Sequence, residues 1–359
     1  LPAILLNTPG TPASISSTFD GYPLAKQGKA GLALTTSAIG TAVGLLAGVA
    51  VLAVAGVPLA AFALQFGPAE LFALVVVGIT MMVGASAGRL WKGLAAGAFG
   101  LLLATVGRDP ITGDQRFTFG INELNGGIPF IPVIIGLFGL AEIMNQIIVH
   151  RKGPTAKPVT QLGEWWPSKP VMKRLRKPMA IGVATGGVIG LIPAVGGDIA
   201  GIVAWENARK ASKHPEEFGK GSLEGLTAGD TSSAATLGGS LTTTLALGVP
   251  GDSVMAVMIG SMLVWGITPG PALFSEQPDL VASIVGIMVI ASIVTLILSL
   301  VRMRGVAKLL QLPKHYLWVI VLLFCLGGTY SVQSSIFDVI MMMVFGLIGL
   351  FMVRFGFPP

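Results

Sequence analysis

Three aspartates, Asp198, Asp230 and Asp252, stand in apolar or small-residue surroundings beside glycine, proline or hydroxyl side chains. An unpaired carboxylate in such a medium is costly, so each should cap a helix, hold a cation or share a proton. Asp252 closes the run Gly248, Val249, Pro250, Gly251, Asp252, Ser253 that interrupts two apolar stretches. Pro250 lacks an N–H and biases Val249 away from the helical region, Gly251 is free to turn, and Asp252 stands at an N-cap position. Asn7, Thr8, Pro9, Gly10 and Thr11 follow the same grammar near the start of the chain, with Pro12 at the first helical position. Helices starting at Thr11 and Asp252 offer free N–H groups and partial positive charge to a carboxylate. Carbonyl ends near Asn7 and Gly248 suit a cation. As an anion, Asp252 would repel a carboxylate and attract sodium or a proton; capping is its first reading and cation binding its second, and the same pair applies to Asp198 and Asp230. A further polar patch, Asp230, Thr231, Ser232 and Ser233, interrupts a small-residue stretch and should face a polar cavity.

The medium follows from composition. Hydrophobic residues make up 53% and charged residues 11% of 359 residues, against about 25% charged in soluble domains. This is an all-α polytopic membrane protein in contact with lipid. The net charge of +6 is no nucleic-acid signal, because the bases cluster between apolar spans and report orientation. A lone Cys325 excludes a disulfide framework or a thiolate metal site, and His150, His214 and His315 fall at span edges.

Apolar spans are expected at about 31–54, 68–87, 92–107, 128–148, 253–266, 279–301, 316–331 and 336–353. The segment 150–178 carries eight bases against Glu164 and reads as cytoplasmic, as does 302–314; 108–127 and 267–279 read as external. From Lys177 an apolar run of about sixteen residues reaches Gly190-Leu-Ile-Pro-Ala-Val-Gly-Gly-Asp198 and looks re-entrant, followed by an amphipathic helix from Ile199 to Lys213. The units that follow the two Pro-Gly breaks have opposite orientation by the charge rule. Such inverted-topology repeats with interrupted helices and re-entrant hairpins characterise secondary transporters, whose site lies at the paired breaks. The expected organisation is a first transmembrane repeat over 1–149, a basic cytoplasmic linker over 150–178 and a second repeat over 179–359. The chain starts in mid-motif and ends just after a span, so both repeats are read as incomplete at the outer ends.

The strings Leu6-Asn-Thr-Pro-Gly-Thr-Pro-Ala13, Asp20-Gly-Tyr-Pro-Leu-Ala-Lys-Gln-Gly28, Gly190-Leu-Ile-Pro-Ala-Val-Gly-Gly197, Pro215-Glu-Glu-Phe-Gly-Lys-Gly221, Leu247-Gly-Val-Pro-Gly251 and Pro269-Gly-Pro271 resemble the large membrane subunit of the tripartite tricarboxylate transporters, the TctA family. The resemblance runs nearly end to end. It implies ion-gradient-driven secondary uptake of citrate-like di- or tricarboxylates across the bacterial inner membrane, with no enzymatic activity. It further implies a small membrane subunit and a periplasmic solute-binding protein as partners, and no cofactor beyond sodium or a proton as coupling ion. Where the family commonly has neighbouring asparagines, this chain reads Asp230-Thr-Ser-Ser233, so hydroxyls replace amides. The substrate site is expected at residues 7–11 and 248–253 with Ser232 and Ser233, and the coupling ion at Asp252, Asp230 or Asp198.

Two other classes compete with this reading. A passive channel or scaffold subunit of a membrane complex would need the breaks as a lining but no coupling. An intramembrane aspartyl protease could use Asp198 and Asp230 as a proton-sharing pair. Against it, Val195 occupies the place where a Gly-x-Gly-Asp motif needs glycine.

Overall fold

A computed structural model describes residues 2–6, 12–65, 67, 69–70, 73, 76, 90–109, 114–150, 163–192, 196–309 and 314–357. Asn7, Thr8, Pro9, Gly10 and Thr11, most of the expected span 68–87, and the side chains of Asp198 and Ser253 lie outside the described residues. Among the described residues the fold is all-α apart from one two-residue strand pair, Gly107–Arg108 with Gln115–Arg116. Among the described residues, four helices are long and apolar enough to cross a membrane: Ala30–Ala63, Phe130–Ile148, Pro278–Val301 and Ile336–Arg354.

The chain forms two compact units, each drawing on both halves of the sequence: Leu1–Gly78 with Ala156–Gln311, and Ile79–Thr155 with Leu312–Pro359. In the first unit α1 (Pro2–Leu6) precedes a 3₁₀ turn (Pro12–Ser14), then come α2 (Ile15–Lys26) and α3 (Ala30–Ala63). Pro12 opens the turn, where its missing N–H costs nothing. The second unit contributes α4 (Leu90–Ala104), α5 (Phe130–Ile134), a π-helical segment (Ile135–Leu140) and α6 (Ala141–His150). The first unit resumes with α7 (Lys169–Gly190), α8 (Gly196–Ala211), α9 (Leu223–Leu247), α10 (Ser253–Val264), α11 (Pro271–Glu276) and α12 (Pro278–Leu309). The second ends with α13 (Lys314–Gln333) and α14 (Ile336–Arg354).

At the centre of the first unit lies α9, with 21 of its 25 residues buried, so its many polar side chains must find partners in protein rather than water or lipid. Glycines at spacing four make this possible on two sides. Gly40, Gly44 and Gly48 of α3 face Thr231, Ala235 and Gly238, and a Cβ on Gly48 would lie 2.8 Å from the Ala235 carbonyl oxygen. Gly182, Gly186 and Gly190 of α7 meet the adjoining flank, where Cβ atoms on Gly182 and Gly190 would each come within 2.7 Å of a carbonyl oxygen, of Ala228 and Thr236 respectively. Only glycine lets backbones approach so closely, and in a bilayer this close packing is the main source of helix association.

Two element readings are corrected by the coordinates. Lys169, Lys173, Arg174, Arg176 and Lys177, read as part of a linker, form the first turns of α7, because Ser168 and Pro170 provide a helix start well before the apolar run. The segment 253–266, read as a crossing, holds a helix of 12 residues. At 1.5 Å per residue it reaches about 18 Å, short of a hydrocarbon core of about 30 Å.

The second unit packs its π-helical segment on α14. A Cβ on Gly136 would collide with the Met342 carbonyl oxygen, and Gly349 sits as tightly on Leu137. Cys325 is buried on α13 beside Gly139.

Candidate functional site

The second Pro-Gly break forms as its residues dictate. Gly248 takes a left-handed conformation (φ +70°), closing α9, and its N–H donates to the Thr244 carbonyl oxygen at 3.0 Å. Asp252 is extended and caps α10, its Oδ1 accepting from the Met255 N–H at 2.9 Å. Gly251 lies flat on α9, where a Cβ would stand 2.6 Å from that of Ser240. Its lack of a side chain is therefore needed by packing. Gly248 meets Pro269 in the same way, and the Gly270 N–H donates to the Leu245 carbonyl oxygen at 3.0 Å, so the Pro269-Gly270 turn backs the break.

Other chain breaks come to the same place. Gly196, the first residue of α8, adopts φ +55°, and a Cβ there would lie 2.9 Å from the Cβ of Asp252. Next to it, a Cβ on Gly197 would rest 3.5 Å from Ala13 in the turn following the first break, and 3.6 Å from the Ser233 carbonyl oxygen. The Ser233 hydroxyl donates to the Ala13 carbonyl at 3.1 Å. Three helix starts, those of α2, α8 and α10, thus converge on one flank of α9.

The two serines predicted together are separated by the structure. Ser233 is half-buried and turned to this convergence, whereas Ser232 is fully buried and donates to the Ala200 carbonyl of α8 at 3.0 Å. One helical step of about 100° accounts for the difference. Asp230 points elsewhere again: its Oδ1 accepts from the Ser17 hydroxyl of α2 at 2.5 Å, and its Oδ2 makes no hydrogen bond among the described residues. Among the described residues no cluster of three His, Cys, Asp or Glu side chains is present.

Asp20, which opened a recognised string without being assigned a role, proves to be a hub. Its Oδ1 accepts from the N–H groups of Gly219, Gly221 and Ser222 at 2.8, 3.0 and 2.8 Å, and its Oδ2 accepts from the Trp205 indole at 2.6 Å. Burial pushes this carboxyl above the usual aspartate value, and those same four donors oppose the rise. The Trp205 ring is held edge-on by Phe19 and Phe218, each at 5.5 Å. The strings Asp20–Gly28 and Pro215–Gly221 are thus halves of one latch joining α2, α8 and the start of α9. An acid beginning one motif and a glycine pair in another were the available signal.

A match across residues 1–359 joins the chain to proteins of known kind. The chain belongs to the tripartite tricarboxylate transporter TctA family. It is 36% identical over 357 residues, 99% of this chain and 71% of the relative, to an uncharacterised 52.8 kDa protein of the TAR-I ttuC' 3' region of Agrobacterium vitis. It is also 32% identical over 174 residues, 48% of this chain and 72% of the relative, to an uncharacterised protein of the TAR-II ttuC' 3' region of the same organism. No solved structure matches. As a TctA-family protein the chain is a membrane transporter subunit, and its family is not one of enzymes.

Proposed function

We propose that this TctA-family chain is the permease of a secondary active transporter, taking up citrate-like di- or tricarboxylates across the bacterial inner membrane. A periplasmic solute-binding protein delivers the substrate, a small membrane subunit completes the complex, and a sodium or proton gradient drives the cycle. The observation that carries the reading is the chain of contacts between helix starts along α9: Gly197 beside Ala13, Gly196 beside Asp252, and the Ser233 hydroxyl on the Ala13 carbonyl. Helix N-termini gather partial positive charge and unpaired N–H groups, which suits carboxylates without requiring a buried lysine or arginine. Residues 7–11 and 248–253 with Ser233 hold the substrate in this account, while Ser232 fastens α8 behind it. Asp252 acts there as a cap.

The division of each compact unit between the two sequence halves is what interlocked inverted repeats over 1–149 and 179–359 would give. Counterflow in liposomes tests the function. Saturable exchange of external labelled citrate against internal citrate is expected. Linear, non-saturable flux would make the chain a channel, and absence of flux with all partners present would make it a scaffold.

A further inference from the structure

The carboxylate of Asp230 is the most demanding group in the first unit. It is 8% exposed, and among the described residues it enters no ion pair and its Oδ2 has no hydrogen-bond partner. Two hydroxyls on the same helix share this condition. Thr227 and Thr231 are fully buried, and neither Oγ1 has a partner among the described residues. Their neighbours behave differently: Thr236, Thr242, Thr243 and Thr244 each donate to a carbonyl three or four residues earlier, the usual way a helix satisfies a threonine in an apolar medium. Thr227 and Thr231 thus keep their oxygens unused one turn before and immediately after an unpaired carboxylate.

Neighbouring helices add oxygens of the same kind. Ser17 of α2 is already on Asp230 Oδ1, and the Ser37 hydroxyl of α3 reaches the same carboxylate. Gly40, one turn after Ser37, lets α3 approach until a Cβ would stand 2.9 Å from Thr231 Oγ1. The donor set is one carboxylate and four hydroxyls, all hard oxygens, with no thiol or imidazole. Such a set suits a small hard cation. A single negative charge matches a monovalent one.

We propose that Asp230, Ser17, Ser37, Thr227 and Thr231 form a sodium site, and that Asp230 is the acid among the three candidates that carries the coupling ion. A bound sodium neutralises the buried carboxylate and takes up the unused hydroxyl lone pairs, each hydroxyl proton remaining free to donate to its own helix. The site lies three residues from Ser233, about 4.5 Å along α9, so the cation's charge favours an anionic substrate on the adjoining flank. This coupling rests on the carboxylate-uptake reading; the cation site itself does not.

The test uses the full chain in nanodiscs, with sodium chloride exchanged for choline chloride at constant ionic strength. Thermal unfolding is read as sodium is titrated. The wild-type midpoint should rise saturably with sodium, as for any ligand that binds only the folded state. Asp230→Asn should abolish the rise, and Thr231→Val, which keeps the shape facing Gly40, should weaken apparent sodium affinity about tenfold, the equivalent of 1.4 kcal/mol. If Asp230→Asn does not fold, Thr231→Val and Ser17→Ala carry the same expectation. A wild-type midpoint that ignores sodium and follows only pH overturns the proposal in favour of a proton. A sodium response unchanged in Asp230→Asn, or in both hydroxyl variants, overturns it too. Citrate uptake with intact sodium dependence in Asp230→Asn removes the site and leaves the uptake reading. A sodium response lost in Asp230→Asn, from a protein that never transports citrate, supports the site and removes that reading.

Discussion

Gly196 and Asp252, 56 residues apart in sequence, lie so close that a Cβ on the glycine would stand 2.9 Å from that of the aspartate. The left-handed φ of +55° at Gly196 makes any side chain there doubly unfavourable. Gly196→Ala should lower stability by about 1–2 kcal/mol and displace the start of α10. Asp252→Asn keeps a capping oxygen and should cost only a few tenths, whereas Asp252→Ala should cost about 1 kcal/mol. Thermal unfolding of the three variants checks this order. An unchanged ion dependence of uptake in Asp252→Asn confirms the capping role.

Packing along the glycine rows gives a second expectation. At Gly44 a Cβ would strike the Thr231 carbonyl oxygen, while at Gly97 of α4 nothing among the described residues lies within 4 Å of one. Gly44→Ala should destabilise by about 1–3 kcal/mol because backbone cannot yield as a flexible side chain can. Gly97→Ala should be neutral or mildly stabilising, since alanine is the better helix former. Denaturation in detergent compares them directly.

The latch at Asp20 makes a third. Asp20→Ala strands three backbone N–H groups and an indole N–H, at a cost of about 3 kcal/mol. Limited proteolysis should then cut near residues 213–221 much faster than in the wild type, while the second unit, which contains none of these groups, keeps its own protection.

The second break was legible because Pro250, Gly251 and Asp252 act locally: a missing donor, a free turn and a cap need no tertiary partner. Gly248 and Asp252 accordingly take the conformations their types dictate. The glycine rows were equally present as Gly40, Gly44, Gly48 and Gly182, Gly186, Gly190, but spacing alone does not name the helix they press against. Ser232 and Ser233 could not be told apart without knowing which flank of α9 each neighbour occupies. Asp20 escaped because its partners lie about 200 residues away. The sequence of α10 reads as a crossing because apolar character reports depth, whereas the helix end at Trp265-Gly266, with φ +71° at the glycine, sets length.

Orientation is the fourth expectation. The bases of residues 163–178 lie at the start of α7 and should face the cytoplasm. In a Cys325→Ser background, a cysteine at Lys173 should resist impermeant thiol reagents in intact cells and react in inside-out vesicles. Reaction from outside would reverse the topology.

Ser233 tests the substrate site most directly, since its hydroxyl is the half-buried polar group of α9 on the flank where the helix starts meet, and it bonds the Ala13 carbonyl. The measurement is the KM for citrate uptake by proteoliposomes containing Ser233→Ala, with Ser232→Ala beside it. The account predicts that Ser233→Ala raises KM about tenfold, the worth of one hydrogen bond to a charged group, at unchanged unfolding temperature. Ser232→Ala should instead lower stability and leave KM near the wild-type value. An unchanged KM in Ser233→Ala, with folded protein at wild-type level, would contradict the placement of the carboxylate among these helix starts.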